Sequence, residues 1–224
     1  RSEKITVTNA LGVMPEFIFR SPASRHDQDH LLTRILAIPV AEEWGEAMEK
    51  RFGVVLRQGF GMTEVNMIAY SDLDDPVMAG CAGPPFKDFF EVIIADPETD
   101  RELAPNEIGE ILVRPKVPSC FNVGYFKMPD KTVEAWRNLW FHTGDAGRMD
   151  PAGRLFFVDR INDRIRRRGE NISSFELEQT LNEHPSVIES AAVGLKVEGA
   201  GGEDEIKVVL AVDGPSPDPS EFLD

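Results

Sequence analysis

From about residue 78 to residue 160 the sequence is cut into short β-rich runs by Gly, Pro and Asp turns, and this texture constrains the fold more than any other feature. The runs fall at 89–94, 108–113 and 155–158, with Asp96-Pro97 and Pro151-Ala152-Gly153 among the turns. They predict a compact sheet or a small barrel. The texture differs on either side. Trp44, Met48 and Phe52 fall four apart, with Glu42, Glu43, Glu46 and Glu49 on other faces, so 41–52 reads as an amphipathic helix. Val54-Val55-Leu56 is a short buried strand that leads into a glycine turn at Gly59 and Gly61. Beyond residue 160, Ser173-Ser174-Phe175-Glu176 fits a capping box, with Ser173 as the cap. A helix to about His184 follows and is stopped by Pro185. Two apolar strands at 190–195 and 206–212 are joined by Gly199-Ala200-Gly201-Gly202. Strand, helix, strand, strand make a small α+β domain, so the expected fold class is mixed α/β and α+β.

Composition narrows the function. The 224 residues are 42% hydrophobic and 28% charged, enough to bury a core and too apolar for a disordered tail. Acidic residues outnumber basic ones 39 to 24, a net charge of −15, which opposes a general nucleic-acid binder. No apolar run approaches the ~18–20 residues of a membrane span. Cys81 and Cys120 are too few for a disulfide scaffold, which points to a reducing, cytoplasmic setting. Neither has a neighbouring base, so both read as inert. The chain opens at Arg1 without a signal-like stretch. It closes with Pro215, Pro217 and Pro219 and then Ser220-Glu221-Phe222-Leu223-Asp224, an N-cap and first helical turn. Both ends predict a piece of a larger protein.

Three runs carry candidate chemistry. In Gln58-Gly59-Phe60-Gly61-Met62-Thr63-Glu64 the glycines permit close backbone approach to a ligand and Phe60 offers a face to a purine. Thr63 can donate to a phosphate oxygen, and Glu64 can hold a hard cation such as Mg²⁺. A strand-to-loop turn capped by the threonine explains the same residues. In Trp140-Phe141-His142-Thr143-Gly144-Asp145 the glycine turn presents Asp145, whose two oxygens could accept from both hydroxyls of a ribose. An Asx turn between strands is the plainer reading. The third run, from Asp159 to Gly169, holds five arginines within the nine residues 160–168 of an otherwise acidic chain. That reversal of sign suits phosphates, and a solvated basic linker suits it equally. His26 and His30 share a His-x-x-x-His spacing, but Pro22 and polar neighbours indicate a loop without a third ligand.

Taken together, the order and spacing of these runs resemble the adenylate-forming superfamily of acyl-CoA synthetases, peptide-synthetase adenylation domains and firefly-type luciferases. Residues 59–64 match its Gly-Tyr/Phe-Gly-x-Thr-Glu motif, and Thr143-Gly144-Asp145, Asp150-Pro151-Ala152-Gly153 and Arg160 match a second stretch. Gly109-Glu110-Ile111 and Gly124-Tyr125 with Pro129 fit the region between. Arg168-Gly169-Glu170-Asn171-Ile172 and Glu176-Leu177-Glu178 match the segment after the hinge. Phe157-Val158-Asp159-Arg160 with Arg168-Gly169-Glu170-Asn171 looks most similar to the carnitine/crotonobetaine-type CoA ligases.

The resemblance implies a domain boundary near residue 160. Residues 1–160 would close the large AMP-binding domain, with a barrel-like β subdomain over 78–160, and residues 161–224 would begin a small mobile domain. It implies a reaction in which a small carboxylic acid and ATP give an acyl-adenylate, and coenzyme A then displaces AMP. Gly59, Phe60, Gly61, Met62, Thr63, Asp145, Val158 and Arg160 would bind the nucleotide, with Phe60 stacking on adenine and Asp145 on the ribose. Thr63 would contact the α-phosphate and Glu64 would hold Mg²⁺. Asn162 would be the hinge, although the family commonly has Asp or Lys there, and Arg168, Gly169 and Glu170 would line the coenzyme A tunnel. The family's Ser/Thr/Gly-rich phosphate loop and C-terminal lysine are not among these residues, and Ala37-Ile38-Pro39 stands in place of its Gly-rich stretch. These 224 residues alone are therefore expected not to adenylate. Other readings are a non-catalytic nucleotide-binding or scaffold protein that keeps the fold, and a carrier-protein thiol in place of coenzyme A.

Overall fold

Alternating burial builds the first sheet. In β2 (Arg34–Ile38) Ile35 and Ala37 point inward, and β2 pairs in parallel with β1 (Val7–Leu11) and β3 (Val55–Arg57) in the order β1-β2-β3. Helix α1 (Met14–Arg20) follows β1, and α2 (Gly45–Phe52) precedes β3. Trp44 and Met48 bury into a core with Ala10, Ile35, Ala37, Val54 and Leu56, and Phe52 packs on its rim, as the four-residue spacing predicts. Helix α2 ends at Gly53, which takes φ 65° and donates its N–H to Glu49 O, a left-handed position that glycine bears without a side-chain clash. From the last turn of α2, Arg51 reaches Asp27 at 2.7 Å and the carbonyls of Phe19, Ser21 and Pro22, so one guanidinium fastens the end of α1.

The computed structural model describes residues 4–11, 14–38, 44–72, 74–161, 165–167, 170–182, 184–196 and 204–214. The chain divides into two units: residues 1–143 with 147–157, and residues 144–146 with 158–224. In the first, β4 (Gly59–Met62) and β5 (Asn66–Tyr70) form an antiparallel hairpin with an irregular register at Phe60/Gly61. The β-rich stretch supplies β6 (Cys81–Gly83), β7 (Phe90–Ala95), β8 (Gly109–Pro115), β9 (Phe141–Met149) and β10 (Leu155–Arg160), with α3 (Pro129–Ala135) before β9. They form one sheet in the order β6-β10-β9-β8-β7. Of the expected sheet or small barrel, the described residues form an open sheet, with β6 and β7 as its edges. Phe60, Val65, Ile68, Phe90, Ile94, Ile111, Val113, Phe141 and Leu155 form its core.

The second unit contains the hairpin β11 (Ile165–Arg167) and β12 (Glu170–Ile172), then α4 (Ser174–Asn182), then the hairpin β13 (Val187–Lys196) and β14 (Asp204–Val212). Helix α4 stops two residues short of His184, whose N–H bonds Leu181 O before Pro185. The capping box falls partly outside the described residues. The Ser173 hydroxyl donates to Asp159 Oδ2 at 2.8 Å, because that buried carboxylate needs donors, and the Glu176 side chain lies outside the described residues. Among the described residues, no helix is long and apolar enough to cross a membrane.

Candidate functional site

The turn after β4 carries the first group of candidates. Val65 anchors it, fully buried, with its N–H on Met62 O at 3.2 Å, and this leaves the neighbouring Thr63 side chain exposed. The hairpin itself requires the two glycines. A Cβ at Gly61 would lie 2.4 Å from Asn66 O and 2.7 Å from Met67 Cα, and one at Gly59 would lie 2.9 Å from Ala69 O. At both positions β5 approaches the backbone closely. Phe60 departs from its expected setting as well. It is 7% exposed, sits in the core, and stacks with Phe157 at a centroid distance of 6.0 Å and 23° between planes.

An open cleft of about 510 Å³ lies beside this turn, lined by Gly61, Met62 and Thr63 and, across from them, by Cys120, Phe121 and Asn122. The Phe121 ring holds that far wall, 5.1 Å from Trp136 and 5.9 Å from Phe141. Glu64 is half-buried. Its Oε1 accepts from the Tyr125 hydroxyl at 3.0 Å and its backbone carbonyl accepts from Asn122 N at 2.7 Å. Burial, and then the adjacent Glu64 carboxylate, push the Tyr125 phenol above its usual range. Among the described residues Glu64 Oε2 accepts no hydrogen bond, and no three His, Cys, Asp or Glu side chains gather as a metal cluster. One hard carboxylate oxygen, next in the chain to the cleft-lining Thr63, fits Mg²⁺, which keeps its waters and takes one or two carboxylates plus substrate phosphates.

The second group lies in the other unit. Gly144 takes φ 72° with open space where a Cβ would be, and Asp145 follows it on β9. Arg160 Nε, at the end of β10, stands 3.8 Å from Asp145 Oδ1. The Asp145 side chain is 15% exposed and that of Arg160 is 74% exposed, so a shielded acceptor sits under a solvent-borne guanidinium. Val158 is half-buried on β10. Asp159, its neighbour, is buried and spent on Ser173, Ser174 and the Arg160 N–H.

The structure therefore brings Gly59, Phe60, Gly61, Met62, Thr63 and Glu64 onto one hairpin, and Asp145 beside Arg160. Asn162, Arg168 and Gly169 lie outside the described residues, and Glu170 is described only by its place in β12. His26 and His30 lie in the loop between α1 and β2, where His26 Nε2 accepts from Arg25 and His30 Nδ1 from Leu32 N. Burial raises the Cys81 thiol, whereas Cys120 lines the cleft. The tie of Tyr125 to Glu64 and the 119–122 wall escape the sequence reading, since nothing local marks a partner 61 residues away from Glu64.

Residues 1–121 match the AMP-binding enzyme family. A crotonobetaine/carnitine–CoA ligase of Salmonella arizonae is 34% identical over 197 residues, which cover 85% of this chain and 37% of that protein. ATP-bound MatB from Rhodopseudomonas palustris superposes with a TM-score of 0.79 at 28% identity, over 99% of this chain and 44% of that one. The amide bond synthetase McbA from Marinactinospora thermotolerans does so with a TM-score of 0.75 at 28% identity, over 99% and 45%. The chain spans 37–38% of the length of the curated relatives.

Proposed function

This chain belongs to the AMP-binding enzyme family, and we propose that it is part of an ATP-dependent acyl-CoA ligase acting on a small carboxylic acid. A carboxylate oxygen attacks the α-phosphorus of ATP, the bond to the bridging oxygen breaks, and pyrophosphate leaves. The thiol of coenzyme A then attacks the acyl carbon, and AMP departs with the electron pair of the broken C–O bond. The observation that carries the reading is the exposed Thr63 hydroxyl on a cleft of about 510 Å³ with Glu64 next in the chain, inside the stretch that matches the family.

Thr63 donates to an α-phosphate oxygen, where charge builds as the new bond forms. Glu64 would hold Mg²⁺, and that ion would offset phosphate charge. Gly59, Gly61 and Met62 shape the wall of the nucleotide site, and Phe60 meets adenine by the small exposed part of its ring. Asp145 accepts from both ribose hydroxyls, with Val158 and Arg160 beside it. Asn162 serves as hinge at a boundary near residue 160, and Arg168, Gly169 and Glu170 line the path of the thiol. The similarity to a crotonobetaine/carnitine–CoA ligase of Salmonella arizonae supports coenzyme A as acceptor. The two free cysteines support a cytoplasmic setting.

Calorimetric titration with AMP tests the diol contact. Asp145→Ala is expected to weaken AMP binding about 10- to 100-fold, the worth of hydrogen bonds to a charged acceptor. Unchanged affinity would sink the assignment and favour a protein that keeps the fold without the site.

A further inference from the structure

We propose that Tyr125 is a positioning residue for Glu64, setting that carboxylate so that Oε2 faces a divalent cation. The proposal rests on the reading of Glu64 as the cation-holding residue. Tyr125 lies 61 residues from Glu64 in sequence, yet its hydroxyl donates to Glu64 Oε1 at 3.0 Å. A second tie runs in parallel, from Asn122 N to Glu64 O at 2.7 Å. The segment 122–125 is thus strapped to both the backbone and the side chain of one residue.

The strap is itself held. Tyr125 N donates to Thr132 Oγ1 at 2.9 Å, and that hydroxyl donates on to Met128 O. Gly124, at φ 130°, brings the chain so close to α3 that a Cβ there would lie 3.0 Å from the Thr132 side chain. At the other end Phe121 is wedged between Trp136 and Phe141. A free glutamate on a turn samples many rotamers, and fixing one of them costs side-chain entropy. Here that ordering precedes the ligand. The phenol occupies one carboxylate oxygen and leaves the other for a cation, the arrangement by which outer-shell donors orient metal-binding carboxylates.

The test is Mn²⁺ binding in the presence of ATP, read by electron paramagnetic resonance on the 224-residue chain, with metal-free AMP affinity and thermal midpoint measured alongside. Tyr125→Phe removes only the hydroxyl. It is expected to weaken Mn²⁺ binding about tenfold while AMP affinity and midpoint stay put. Thr132→Val, which frees the strap without touching Glu64, should move Mn²⁺ affinity the same way. A merely structural role would lower the midpoint and AMP affinity together with Mn²⁺ affinity, and that result overturns the proposal. Wild-type Mn²⁺ affinity in Tyr125→Phe, with loss in Glu64→Gln, overturns it alone. Wild-type affinity in Glu64→Gln overturns the underlying reading of Glu64 and the proposal with it.

Discussion

Phe60 and Gly61 share a motif but answer to different constraints. Phe60 is a core residue, so Phe60→Ala would confound binding with a cavity worth about 3–5 kcal/mol. Asp145 is the cleaner probe of the nucleotide reading, because its carboxylate is shielded without belonging to an apolar cluster. Gly61 tests the hairpin instead. With Asn66 O 2.4 Å from an added Cβ, Gly61→Ala forces β4 and β5 apart, and denaturant unfolding should show a loss of about 1–3 kcal/mol. A loss well under that range would mean that the backbone yields and that the glycine is free for ligand approach. The motif was legible as residue types, but the neighbour that each residue meets was not. Periodicity and spacing report what a side chain can do, and only packing selects which of its uses is taken up.

At the scale of elements, turns and helix ends were the most readable, since their causes are local. The periodicity of 41–52 ends where Gly53 stops α2, whereas α3, opened by Pro129, was not read from the sequence. The turn after β9 shows the same locality in its electrostatics. Burial raises the Asp150 carboxyl, but the backbone N–H and guanidinium of Arg154 outweigh it and hold the group below the ordinary 3.8. A carboxylate held low in the folded state adds stability above its unfolded value, and that stability is lost as pH falls through the lowered native value. Arg154→Met should therefore shrink the loss of stability between neutral pH and about pH 3, followed by urea unfolding at each pH. An equal loss in both proteins would mean that the pair contributes nothing. The Ser173 cap also has a distant partner that no local pattern shows. Asp159 sits 14 residues before Ser173 in sequence and takes its donor.

At the scale of the molecule, the reading makes one demand on catalysis. The 224 residues lack a Ser/Thr/Gly-rich phosphate loop and a lysine in the family's C-terminal context, so they should give no ATP–pyrophosphate exchange, whereas a polypeptide that adds both should. Lys207 does not replace that lysine, being within β14. Robust exchange by the 224 residues would break this expectation. By itself the sequence determined the class of the fold, the end of α2, and the chemical types on the Gly59–Glu64 and Gly144–Asp145 turns, because each follows from residues adjacent in the chain. Only the tertiary structure decided that the β-rich stretch stays an open sheet, that Phe60 faces a core, and that Tyr125 holds Glu64. Those outcomes depend on pairings between residues tens of positions apart, whose free energy comes from mutual burial and shared hydrogen bonds that no local pattern encodes.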